Sequence, residues 1–299
     1  MADTIILPEN QSSSRSSIII PSEQTRPLSN GLWGVILLVV DTDNVVKVPK
    51  DARGGLYEIE KKVYERLGTH QRIASYLGEA TVRVGPEWKP GLLCRYYPLR
   101  TLDVFFDNPA SVEICKSRRQ QLLWAAQILD GLSYIHSCNV IHGDVGIRNI
   151  LVDQNLELKF SDFGGSSVDG AEMRVECAPQ YHRAHSWRFP IAGIDDLGET
   201  WKMPTRMMDT FALGTVLYEI FTAAKLYKDE PYDIRRRRAT KKEYPDLGVI
   251  PIVEVRYVIS NCWSEQYSEV EEVVRDLQPI WAKGAYFGLT AANPACSTK

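Results

Sequence analysis

Apolar residues change their spacing along this chain near residue 100. Before that point they come in short β-branched runs, "GVILLVV" at 34–40 and "NVVKV" at 44–48, separated by the polar "DTDN". Two such runs around a polar turn predict a β-hairpin. A helical repeat follows over roughly 55–67, where Leu56, Ile59, Val63 and Leu67 fall on one face. "TVRV" (81–84) and "LLCRYY" (92–97) read as two further strands, split by the Gly/Pro-rich "GPEWKPG". Residues 1–27 are rich in Ser, Pro and Gln, include "QSSSRSS", and read as a disordered tail.

From about 111 the helical period dominates. "RRQQLLWAAQILDGLSYIHS" (118–137) predicts a long amphipathic helix, and "MMDTFALGTVLYEIFTA" (207–223), apolar nearly all round, predicts a buried one. Helices are expected again near 231–240, 251–262 and 268–281, with a frayed tail at 282–299. Residues 165–207 lack a clear period, and a loop of that length in a folded domain is usually functional. The pattern therefore predicts an α+β protein of two lobes: strand-rich over 28–97, mainly helical over 98–281, joined near 96–101.

Polar chemistry gathers in two short stretches of the helical lobe. "VIHGDVGIRNILVD" (140–153) sets His142, Asp144, Arg148 and Asn149 between apolar runs, and "LELKFSDFGG" (156–165) ends a second short strand in Asp162. Side chains at strand ends can converge on one cleft. Mg²⁺ ions on a triphosphate need hard oxygen donors from few protein groups, which suits Asn149 and Asp162. An ionised Asp144 suits the orientation of a substrate hydroxyl and the acceptance of its proton.

On these residues the chain resembles the protein kinase domain. "HGDVGIRN" (142–149) resembles that family's catalytic loop and "DFG" (162–164) its metal-binding tripeptide, 18 residues apart from Asp to Asp. The resemblance covers about 28–280 and implies a two-lobed fold, ATP and Mg²⁺ as cofactors, and a protein substrate. It implies a catalytic role for Asp144 with Arg148 beside it, metal binding by Asn149 and Asp162, and phosphate binding by Lys47. "SNGLWGVI" (29–36) resembles the phosphate lid, with Ser29, Gly31 and Gly34 at its three glycine positions and Trp33 at its tip. Cys94 matches the gatekeeper, and Arg95 to Tyr97 the backbone that meets adenine. Asp209 matches the helix Asp that braces the catalytic loop, and "NCWSEQYSEVEEVVRDL" (261–277) the closing helix pair.

Lys47 then needs a carboxylate partner on the following helix. Glu60 shares the apolar face of Leu56, Val63 and Leu67, whereas Glu58 and Glu65 point the other way, and a carboxylate on that face is costly unless paired. His142 is expected to pack beneath the loop.

Four departures from the family pattern shape the expected regulation. Gly143 replaces the Arg that precedes the catalytic Asp, and Gly146 the Lys two residues beyond it. "WRFP" (187–190) stands for the usual Ala-Pro-Glu, and Tyr267 and Ser268 where an Arg is expected. Without that cation a loop phosphate has lost its anchor, so 165–205 is expected to be held by packing of Trp187, Phe189 and Trp201. The acceptor is open between Ser/Thr and Tyr, with Ser/Thr favoured. A pseudokinase scaffold is the main alternative to an active enzyme, and a small-molecule kinase of the aminoglycoside or choline type is the third reading.

Composition narrows the partners. The 299 residues carry a net charge of −3, so no basic field points to nucleic acid. The run at 34–40 is too short to span a bilayer, and no secretory signal pattern is present. Six cysteines without CxxC spacing imply reduced thiols in a cytoplasmic or nuclear setting, and a monomer is expected. His182 and His185 have helical metal-ligand spacing but no partner Cys or Glu, so no metal site is expected there. "RRRR" (235–238) is open between an import signal, an anionic docking patch and a solvated helix face.

Overall fold

A computed structural model describes residues 18–31, 33–50, 55–171, 181 and 204–283. Its N-terminal sheet holds β1 (Ile18–Ile20), β2 (Thr25–Asn30), β3 (Gly34–Val39), β4 (Asn44–Pro49), β5 (Tyr76–Val84) and β6 (Glu87–Arg95). Their spatial order is β1-β5-β6-β4-β3-β2. The expected hairpin is β3–β4, in register Leu37↔Val46 and Val35↔Val48. Alternate side chains bury Leu37, Val39, Val46 and Val48 against Ala80, Val82 and Leu93.

Two expectations change here. Residues 18–27 are not tail: β1 runs parallel to β5, Ile20 is buried against the sheet, and β2 opens at Thr25. Three isoleucines are too short a run to show a period beside a Ser-rich stretch. The second change is that β5 and β6 are longer than their apolar cores and take in most of "GPEWKPG", leaving only a tight turn with Gly85 at φ 60°. Pro90 fits because β6 there runs past the residues that pair with β4, so its missing N–H breaks no ladder on that side.

Helix α1 (Leu56–Leu67) crosses behind the sheet and buries Glu60, Val63, Tyr64 and Leu67. The helical lobe then follows with α2 (Leu102–Asp107), α3 (Val112–Lys116) and α4 (Arg118–Ser137). Neither α2 nor α3 is long enough to carry a visible period; α2 starts on the Thr101 hydroxyl, which accepts from the Val104 N–H. Two small ladders come next: β7 (Val140–Ile141), β8 (Ile150–Val152), β9 (Leu158–Phe160) and β10 (Ser167–Val168), paired β7–β10 and β8–β9. They set residues 142–149 and 161–166 side by side.

The lobe closes with α5 (Arg206–Thr222), α6 (Tyr232–Lys241), α7 (Val253–Trp263) and α8 (Val270–Lys283). Helix α5 is its axis, with Leu213, Val216, Leu217 and Ile220 wholly buried. Gly214 lets α7 approach: a Cβ there would lie 2.6 Å from the Cβ of Cys262. Trp263 Nε1 donates to Thr215 Oγ1 across the same contact at 3.0 Å. The "RRRR" segment lies in α6, where Arg238 is ion-paired with Glu230 and Glu243. His182, His185, the "WRFP" stretch and Trp201 lie outside the described residues, and with them the expected packing of Trp187, Phe189 and Trp201.

Candidate active site

The cleft between the lobes is lined from three sources. Lys47 comes from β4, Glu60 from α1, and the remaining polar groups from the β7–β8 and β9–β10 connections. Lys47 Nζ donates to Glu60 Oε2 at 2.6 Å and to Asp162 Oδ1 at 2.5 Å, so the partner chosen on the apolar face is the one found. Burial works against the lysine charge, but Asp162 and Glu60 outweigh it and hold the ammonium above its ordinary range. Glu60 is buried, and desolvation pushes its carboxyl up despite Lys47 and the Phe163 N–H that it accepts. Asp162 goes the other way: desolvation in the cleft opposes its charge, yet Lys47 holds its carboxyl below the usual range.

Asp162 adopts φ 62°, a left-handed conformation that Asp tolerates better than most residues. That turn sends Phe163 inward, fully buried and edge-on to Tyr64 with ring centroids 5.1 Å apart. The Asp162 carboxylate stays in the cleft, 53% exposed.

Asp144 is held from both sides. Asn149 Nδ2 donates to its Oδ2 at 2.7 Å and to its backbone carbonyl at 2.8 Å, and Arg148 donates to Oδ1 at 3.1 Å. Burial pushes its carboxyl above the ordinary range, with Arg148 opposing. Because Asn149 spends its amide N–H groups on Asp144, its Oδ1 is left as a hard oxygen donor; no described residue donates to it. Among the described residues no cluster of three or more His, Cys, Asp or Glu could hold a metal alone. Asn149 Oδ1 and the exposed Asp162 carboxylate fit a cation that brings most of its ligands on a phosphate chain.

The loop that carries these groups is braced from below. Asp209, at 1% exposure, accepts from the N–H of His142 and of Gly143, both at 2.8 Å, and bonds His136 Nε2 at 2.9 Å. Gly143 has φ 76°, so glycine takes this braced conformation without strain. His142 is fully buried beneath the loop, its ring against Phe163 and its Nε2 3.2 Å from the Ser161 carbonyl.

The β2–β3 turn and the end of β6, expected to serve as lid and adenine wall, are both present. Gly34 must be glycine, since a Cβ would come within 2.9 Å of the Val48 carbonyl oxygen. Gly31 donates to the Gly34 carbonyl at 2.9 Å, while Ser29 and Trp33 are exposed. Desolvation pushes the Cys94 thiol up to about 12, so the gatekeeper position presents a neutral wall. At the lobe connection the Arg95 and Tyr96 N–H groups are spent on Ser75 and Asp43 carbonyls. The Tyr97 N–H meets no acceptor among the described residues; its side chain is buried, and its hydroxyl accepts from the Ser75 N–H.

A family model for protein tyrosine and serine/threonine kinases matches residues 46–271. The chain belongs to that kinase family. This kinase domain is 26% identical over 211 residues to mitogen-activated protein kinase 12 of Rattus norvegicus, covering 69% of the chain and 54% of the relative. It is 28% identical over 258 residues to the probable serine/threonine-protein kinase drkC of Dictyostelium discoideum, covering 84% of the chain and 32% of the relative. A shorter match, 35% identical over 101 residues, is to mitogen-activated protein kinase mpkC of Aspergillus oryzae, covering 34% of the chain and 26% of the relative. The chain thus spans about half the length, or less, of these curated relatives.

Two residues of the kinase domain were not anticipated from its sequence. Tyr181, 3% exposed, packs its ring on Gly146 and donates its hydroxyl to Glu219 Oε2 of α5 at 2.7 Å. A Cβ at 146 would lie 3.0 Å from that ring, which accounts for the glycine. The Arg148 guanidinium sits 6.0 Å from the Tyr181 centroid. The signal for Glu219 is a second acid, after Asp209, in an apolar helix; Tyr181, 38 residues away, carries none.

Burial raises the Glu219 carboxyl to about 8. The fold therefore keeps a proton that the unfolded chain releases near 4.5, and stability contributed by this group falls as pH rises from about 4.5 to 8. Each pH unit inside that window removes at most ~1.4 kcal/mol. Urea unfolding of Glu219→Gln across pH 5–8 should show a flatter profile than wild type, and identical slopes would refute the assignment.

Proposed function

We propose that this kinase domain transfers the γ-phosphoryl group of ATP to a protein hydroxyl, with Ser or Thr preferred to Tyr. The observation that carries the reading is Lys47 bonded at once to Glu60 and Asp162, opposite an Asp144 held by Asn149 and Arg148. Lys47 would bind the α/β-phosphates, with Glu60 fixing its position. Asn149 Oδ1 and Asp162 would hold Mg²⁺. Bound Mg²⁺ supplies charge neutralisation at the phosphoryl oxygens. The Arg95 carbonyl and the Tyr97 N–H would meet the adenine edge, and the turn from Ser29 to Gly34 would cover the phosphates.

Asp144 would orient the acceptor hydroxyl and take its proton. Its carboxyl, raised by burial, is a better proton acceptor than a solvated Asp, while Arg148 and Asn149 keep it aimed. The absence of a cation at Gly143 supports activity that does not wait for a loop phosphate. Reduced thiols at Cys94, Cys115, Cys138 and Cys262 support a cytoplasmic or nuclear setting, and no helix among the described residues is long and apolar enough to cross a membrane.

Mg²⁺-ATP should stabilise the fold. A ligand at 100 times its Kd contributes roughly 2.7 kcal/mol by mass action. Thermal melts with ATP alone and with Mg²⁺-ATP measure this, and Asp162→Asn should remove the metal-dependent part. No shift at millimolar nucleotide would defeat the proposal.

A further inference from the structure

Arg66 lies near the end of α1, six residues beyond Glu60 and about 9 Å further along the helix axis. Its guanidinium donates to both carboxylate oxygens of Asp169, Nη1 to Oδ1 at 3.0 Å and Nη2 to Oδ2 at 2.8 Å. Nη1 also donates to the Cys138 carbonyl at 3.2 Å, at the C-terminal cap of α4. A cation there complements the helix dipole. Asp169 is itself fixed: it follows β10, takes φ 55°, and donates its N–H to the Asn139 carbonyl at 3.0 Å. Asn139 directly precedes β7, the strand that leads into His142–Asp144. One arginine therefore ties the helix that carries Glu60 to the strand pair that carries the catalytic loop and the segment after Asp162.

We propose that Arg66 and Asp169 are positioning residues, a fixed-charge clamp that keeps α1 seated so that Glu60 stays on Lys47. The statement rests on the kinase reading for its functional meaning, because the Lys47–Glu60 pair would orient the nucleotide phosphates. The second tie on α1 is Tyr57 and Lys61 to Glu79 of β5, and it holds the helix only to its own lobe. Arg66 reaches the other lobe at the far end of the helix, beyond the Phe163 N–H that Glu60 accepts. A bidentate pair suits this task, since two parallel hydrogen bonds fix an orientation as well as a distance. The carboxylate is encoded in the chain, so seating needs no added phosphate.

Asp169→Asn and Arg66→Gln make the test, together and apart. Asn tolerates the left-handed backbone at 169, so the substitution removes charge without forcing a new turn. Each single variant should weaken Mg²⁺-ATP binding about fivefold in calorimetry, at 50 mM salt more than at 500 mM, with the melting temperature of the apo-protein unchanged. The double variant should be no worse than either single one, the mark of a coupled pair. Hydrogen exchange of the α1 amides should quicken in all three. Additive losses, losses that only track melting temperature, or unchanged α1 exchange would overturn the clamp. Should the wild type bind no nucleotide, the functional proposal fails by itself, and α1 exchange still decides whether Arg66 and Asp169 seat the helix.

Discussion

Asp144→Asn should lower phosphoryl transfer by about 10²–10⁴-fold while leaving Mg²⁺-ATP affinity within about twofold. The substitution is nearly isosteric and keeps a side chain between Asn149 and Arg148, but an amide cannot take the hydroxyl proton. Lys47→Ala should behave differently. It removes the ammonium that bonds both Glu60 and Asp162, and leaves the buried Glu60 carboxylate unpaired by it. Nucleotide affinity and transfer should then fall together. Steady-state kinetics with calorimetry separates the two patterns. If wild-type transfer already equals the Asp144→Asn background, the chain is a nucleotide-binding scaffold, and the Asp144 role proposed above is wrong.

Asp209→Ala should be among the most destabilising single changes in the helical lobe, by about 3–5 kcal/mol. Its carboxylate is the shared acceptor for two buried backbone N–H groups and His136, and alanine would strand all three. For a domain of this size the melting temperature should drop on the order of 10 °C. Asp209→Asn, which keeps one acceptor oxygen, should lose less. A drop under about 2 °C for the alanine variant would mean that water or rearranged backbone satisfies the loop.

Features that depend on a repeat were legible before any coordinates. Helix α4 follows from its apolar spacing and α5 from a run apolar nearly all round, and Glu60 could be chosen over Glu58 and Glu65 because only it shares the buried face; those two are exposed. Asp144, Asn149 and Asp162 stood out because polar groups between short apolar strands need a reason. What could not be read are pairings across long separations that leave no periodic trace. Tyr181 meets Glu219 through a hydroxyl, and Arg66 meets Asp169 over 103 residues. Nor does a sequence pattern say that the Tyr97 side chain enters the core while its N–H stays open. The glycines at 143 and 146 read as lost side chains, yet the structure shows one taking a left-handed turn and the other making room for a ring.

The strand β1 bears on how a shortened version of this chain would behave. A fragment opening at residue 28, where composition alone would cut, loses β1 and the first half of β2. The nine-residue β5 would then be an open border of the sheet, with Ala80 and Val82 stripped of Ile20. Long, open borders recruit strands from other molecules, and short ones resist it. A fragment that begins upstream of Ile18 should therefore stay monomeric at concentrations where one opening at 28 associates, as light scattering would show.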